Sequence, residues 1–191
     1  MDDKHEKLTQ QYSTWGDKLL QHTDVLHSIQ KDKIFKPITI QLSPTESCSS
    51  GCPFCSVAER PLKSYLPMKK IRKVLEDFKK LGAKAVELTG GGEPMLYKDK
   101  ETKEDINTII EYAHDLGYEI GMITNTGKLN KLKPENFSKL KWLRISLIKL
   151  DEGFEPEDYD FCGFPEENMG LSYIIYEGDT GTGTRINKSY I

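Results

Sequence analysis

The chain has no apolar run approaching the roughly 20 residues a membrane span needs, and its first residues, MDDKHEKLTQQYSTWGDK, lack the apolar core of a signal peptide. A cytoplasmic protein is the expectation. It also lacks a surplus of one charge: the formal balance is -3, which argues against a general binder of nucleic acid or anionic membrane. Histidine is sparse. His5, His22, His27 and His114 fall on helical or terminal segments and not beside the cysteines, so none is assigned to a metal. Cysteine is scarce too, with four in 191 residues, and that length can bury a core without disulfides.

Three of those four cysteines crowd into Cys48-Ser-Ser-Gly-Cys52-Pro-Phe-Cys55, and Cys162 stands far away. A disulfide framework spreads its cysteines to close loops in a secreted chain. Crowded thiols in a cytosolic chain point instead to a metal or redox site.

Hydrophobic periodicity supplies the frame. Residues 1–36 read as a helical extension with Tyr12, Trp15, Leu19, Leu26 and Ile29 on one stripe. Residues 37–42 alternate as a strand, and the cysteines follow in its loop. Pro67 opens a helix whose apolar face is Met68, Ile71, Val74, Leu75, Phe78 and Leu81, and Gly82 closes it. A strand over 83–88 runs into Thr89-Gly-Gly-Gly-Glu-Pro94, where regular structure must end. Ile106, Ile109, Ile110, Ala113 and Leu116 mark a second helix that stops at Gly117, before a strand over 118–124. A short helix over 134–140, a strand over 142–147 and a last strand over 171–176 complete the pattern, and 177–191 reads as a flexible polar tail. Strands alternating with helices imply an α/β fold: a parallel sheet or partial barrel with its working loops at the C-terminal ends of the strands.

Thiolates are the usual protein ligands of iron–sulfur clusters, and three on one short loop can hold three irons of a cubane while the fourth iron has no protein ligand. The fourth position stays open only if Cys162 does not fill it. A buried Cys162 is the favoured reading, with a substrate-contacting thiol or a fourth ligand as the others.

The CxxxCxxC spacing, with Phe54 just before the last cysteine, resembles the signature of the radical-SAM family. Gly91-Gly92-Glu93, at the end of the second strand, is similar to the family's GGE motif, so two matches appear in the expected order. The resemblance covers about residues 37–176. It implies a partial parallel (β/α) barrel of about five strand-helix units here, commonly six in the family. The sixth has no clear counterpart in the tail, so the chain reads as a minimal or truncated member, or one whose missing wall a partner supplies.

The resemblance also implies a [4Fe–4S] cluster on Cys48, Cys52 and Cys55. Its open iron is chelated by the amino and carboxylate groups of S-adenosylmethionine, which is cleaved reductively to a 5'-deoxyadenosyl radical that takes hydrogen from a substrate. Gly91, Gly92 and Glu93 would hold the methionine amino end. Glycines permit positive φ and close backbone approach, though such a stretch is also an ordinary turn. Ser146 resembles the family's contact to the cofactor's ribose or carboxylate, and a strand serine bonded to backbone is an equal reading. Asn125 resembles a turn facing the active site, or is a plain turn asparagine. Phe54 lies near adenine or only shields the cluster from water. No residue is assigned a catalytic acid–base role. The acidic run Asp151, Glu152, Glu155, Glu157, Asp158 and Asp160 reads as a solvated loop.

The implied partners are a one-electron donor such as a flavodoxin or ferredoxin and, from an open barrel, a peptide or protein substrate. The rival class is a non-catalytic zinc or iron–sulfur binding module, or a degenerate relative. A methyltransferase that uses S-adenosylmethionine without a cluster would leave the crowded cysteines unexplained.

Overall fold

The computed structural model describes residues 18–174; Tyr12, Trp15, the expected tail and the last two residues of the expected final strand lie outside them. Five strands form one parallel sheet in the order β1 (Thr39–Leu42), β2 (Ala85–Leu88), β3 (Glu119–Thr124), β4 (Leu140–Ser146) and β5 (Met169–Ser172). The order never reverses. A doubly wound sheet turns back at a switch point and carries helices on both faces, whereas an unreversed parallel order with crossovers of one hand keeps them on one face, as in a barrel wall.

The core shows this arrangement. Ile40 and Leu42 of β1, Val86 and Leu88 of β2, Ile120 and Met122 of β3, and Leu143 and Ile145 of β4 share one cluster with residues of the two crossover helices. These helices are α2 (Met68–Lys80), contributing Met68, Ile71 and Leu75, and α3 (Ile106–Asp115), contributing Ile106, Ile109, Ile110 and Ala113. Both have the expected apolar stripe; Leu81, expected on it, lies just past the end of α2 and is exposed. Asp99, buried in the next crossover, accepts the Met68 backbone N–H at 2.6 Å and thus caps α2 from outside. Asp105 caps α3 by accepting from the Asn107 N–H.

At the other end of the chain's described part, α1 (Thr23–Asp32) buries Val25 alone, while Leu26 and Ile29 are half-buried. The crossover from β3 to β4 is a 3-10 helix, Pro134–Lys139, and that from β4 to β5 holds only 3-10 turns. So the helical unit is incomplete in the last two crossovers. Residues 147–168 lack the apolar period that would pay for an α-helix there. The last strand also lies two residues earlier than its apolar run suggests, because it pairs with β4 from Leu143↔Met169 to Ser146↔Ser172 and β4 ends at Ser146. No helix among the described residues is long and apolar enough to cross a membrane.

Gly121 illustrates a close approach that only glycine permits. A Cβ there would stand 1.8 Å from the buried Trp142 indole, beside the register shift between β3 and β4.

Candidate active site at the ends of the strands

The loop after β1 is long and open: from Glu46 to Pro67 no residue is buried. Its stem is closed like a hairpin. Thr45 bridges Tyr65, the Glu46 N–H donates to the Ser64 carbonyl at 2.9 Å, and the Leu66 N–H donates to the Pro44 carbonyl at 2.9 Å. Cys48, Cys52 and Cys55 are free thiols, each half-buried on this loop. Burial pushes the Cys52 thiol up from its ordinary value, and the neighbouring Cys48, Glu152 and Cys55 add to the effect.

The loop after β2 closes under it. The Glu93 N–H donates to the Ser47 carbonyl at 2.7 Å and the Gly91 N–H to the Ser43 hydroxyl at 3.0 Å. A Cβ on Gly92 would stand 2.4 Å from the Ser47 carbonyl oxygen and 2.5 Å from that of Thr45. A Cβ on Gly91 would meet the Glu46 carboxylate. The positive φ expected at Gly91 and Gly92 falls instead on Gly90, at 122°. Both glycines therefore have a packing reason to lack a side chain: the cysteine loop rests on them.

Glu93 is 2% exposed and its side chain joins the ends of β2 and β3. Its Oε1 accepts from the Met95 N–H at 2.9 Å and the Thr124 hydroxyl at 2.6 Å, and its Oε2 accepts from the Asn125 N–H at 2.6 Å. Burial raises its pKa, and these donors only partly offset the rise. A carboxylate has about four acceptor positions, so one remains, on Oε2.

Asn125, which follows β3, donates from Nδ2 to Cys48 Sγ at 3.1 Å, while its buried Oδ1 has no hydrogen-bond partner. Cys48, Gly91, Gly92, Glu93 and Asn125 thus form one assembly. Ser146 is the last residue of β4, at the same end of the sheet, and its side chain caps nothing. Phe54 is half-buried beside Cys55.

Cys162 is exposed, not buried as expected. Cys162 and Gly163 form the tip of a turn, with φ of 51° and 75°, held by the Phe164 N–H on the Phe161 carbonyl at 2.9 Å. Phe164 is buried and Phe161 packs against the core, so the flanking aromatics take the interior and push the thiol outward. The six acidic residues from Asp151 to Asp160 are all exposed, as a solvated loop requires.

Arg60 and Thr124 enter the assembly without having been expected. Arg60 donates to Cys55 Sγ at 3.2 Å. A single arginine in a polar loop carries no spacing signal, and a threonine ending a strand carries little more.

The donor set suits a cubane. Three free thiols on one loop are the ligand type a cubane takes, one at each of three irons. The orphaned Asn125 Oδ1 beside Cys48 and the spare acceptor position on Glu93 are suited to a donor group of a bound molecule.

The model of the radical SAM superfamily matches residues 42–152. A GTP 3',8-cyclase of Tolumonas auensis is 36% identical over 118 residues, covering 59% of this chain and 33% of the relative. A GTP 3',8-cyclase of Staphylococcus aureus is 25% identical over 169 residues, covering 82% and 46%. An S-adenosylmethionine-dependent nucleotide dehydratase of Selenomonas ruminantium is 28% identical over 115 residues, covering 59% and 39%. Among solved structures, Streptococcus suis SuiB bound to S-adenosylmethionine matches with 21% identity and a TM-score of 0.46, over 74% of this chain and 33% of that one. The chain spans between a third and a half of the length of these relatives. With more than half of its residues matched by the family model, the chain belongs to the radical SAM superfamily, whose members carry a [4Fe–4S] cluster and S-adenosylmethionine.

Proposed function

We propose that Cys48, Cys52 and Cys55 hold three irons of the cluster, that the fourth iron binds S-adenosylmethionine, and that the chain takes part in radical chemistry on a substrate at this end of the sheet. The observation that carries this reading is three free thiols on one loop beyond β1, inside the segment that matches the family. When bound, cluster and cofactor supply the electron and the 5'-deoxyadenosyl radical that abstracts hydrogen. The chain's own residues bind and orient.

Gly91 and Gly92 let the second loop meet the first, and Glu93 fixes the ends of β2 and β3 to each other. The spare position on the Glu93 carboxylate and the Asn125 Oδ1 are two acceptors for the N–H groups of an amine, so we assign them the amino end of the cofactor. Ser146 is assigned to its ribose or carboxylate and Phe54 to the neighbourhood of its adenine. The electron comes from a flavodoxin or ferredoxin in the cytoplasm. For the substrate, the names of the relatives favour a nucleotide over the peptide or protein that an open sheet suggests.

The test is anaerobic reconstitution with iron and sulfide, followed by dithionite and S-adenosylmethionine. Wild-type protein is expected to form 5'-deoxyadenosine, and Cys48→Ala, Cys52→Ala and Cys55→Ala each to abolish it. Cleavage retained in those variants would falsify the assignment, and bound zinc without sulfide would support the binding module instead.

A further inference from the structure

Arg60 lies among exposed residues of the cysteine loop, yet its side chain is only 8% exposed. Its Nε donates to the Glu46 carbonyl at 3.0 Å, and its Nη1 donates to the Val57 carbonyl at 2.9 Å and to Cys55 Sγ at 3.2 Å. One planar fork therefore ties the stem of the loop, the segment beyond the cysteines and one of the thiols. A lysine, with a single point charge on a flexible stem, has no equivalent geometry. The Glu46 carboxylate stands 3.9 Å from Nε, on the side where the loop meets Gly91.

The thiols differ in their donors. Cys48 has a neutral amide from Asn125, and Cys55 has a cation. At this burial the guanidinium is weakly screened by water, so its charge acts on the sulfur with more force than a surface charge would. Hydrogen bonds and positive charge at a cluster's sulfurs stabilise the reduced state more than the oxidised one, because reduction adds one negative charge to the cluster.

We infer that Arg60 is a positioning residue that sets the cluster's reduction potential through Cys55, raising it, with Glu46 as the counter-charge that limits the rise. The inference rests on the cluster assignment above. It gives the two residues opposite effects: removing the cation lowers the potential, and removing its counter-charge raises it. A purely structural strut would not produce shifts of opposite sign.

The experiment poises reconstituted wild-type, Arg60→Met, Arg60→Lys and Glu46→Gln proteins at a series of potentials with dithionite and titanium(III) citrate. Electron paramagnetic resonance reads the reduced fraction, and iron and sulfide are assayed on the same samples. At the wild-type midpoint, Arg60→Met is expected to show a reduced-to-oxidised ratio at least tenfold lower, about 59 mV for a one-electron couple. Arg60→Lys is expected to fall between it and wild type, and Glu46→Gln to shift the other way. If Arg60→Met loses its cluster, the signs for Arg60→Lys and Glu46→Gln decide. Cluster-loaded variants that titrate at the wild-type potential, or that shift in the same direction, overturn the inference. A wild-type chain that takes up no cluster overturns the cofactor assignment, and this inference with it; a wild-type cluster indifferent to both residues overturns this inference alone.

Discussion

The loops after β1 and β2 meet at one site but are built in opposite ways. The first carries the thiols and buries no residue between Glu46 and Pro67; the second carries Glu93, Pro94, Met95 and Tyr97, all buried. The first is held at its stem, at Arg60 and at its contact with the second; the second is packed into the core below. The difference teaches a division of labour. On the proposed assignment, a loop that wraps a cluster and admits a cofactor cannot fill its own interior, so its position comes from a rigid neighbour.

The sharpest way to break this arrangement is Gly92→Ala. The added methyl meets backbone atoms of Thr45 and Ser47, which cannot move without moving the cysteine loop. A loss of about 3 kcal/mol, at the upper end for overpacking, is expected in urea unfolding, together with lost iron uptake. Glu93→Gln comes next. The amide keeps one acceptor oxygen but turns an N–H toward groups that themselves donate, and about 1–3 kcal/mol is expected from the disrupted bonds. Gly91→Ala should cost least, about 1 kcal/mol, because its methyl meets the far end of the flexible Glu46 side chain. Equal losses for Gly91→Ala and Gly92→Ala would contradict the idea that the second loop supports the first through backbone contact.

Two buried carboxylates sharpen the comparison through pH. Glu93 has a raised folded-state pKa, caused first by burial. Its ionisation therefore costs stability above that value, and the cost disappears as pH falls through it toward the ordinary carboxylate range near about 4. Asp99 is the reverse. Backbone N–H donors, that of Met68 first, depress its pKa, so its stabilisation is present above the ordinary range and lost as pH falls through the depressed value. Unfolding measured against pH should show wild type gaining on Glu93→Gln in mild acid and losing to Asp99→Asn in stronger acid. The same sign for both pairs would contradict the two environments.

Much of this was legible in the sequence, for identifiable reasons. The faces of α2 and α3 and the first three strands follow from local period, and the crowded thiols from spacing alone. What was not legible depends on distant partners. The end of β5 is set by where β4 stops, and the exposure of Cys162 by the two phenylalanines that claim the core. Gly91 and Gly92 read as a surface for a ligand, while their absent side chains also make room for residues 45–47, some 45 positions earlier in the chain. Arg60 has no neighbouring motif to single it out; only its buried fork, closed on Glu46, Val57 and Cys55, does so.

The most direct test of the central claim is electron paramagnetic resonance of the anaerobically reconstituted, dithionite-reduced chain, with and without S-adenosylmethionine. The account predicts a [4Fe–4S]+ signal that changes when the cofactor is added, because one iron has no protein ligand. A cluster signal that the cofactor leaves unchanged, or no cluster signal at all, would contradict it.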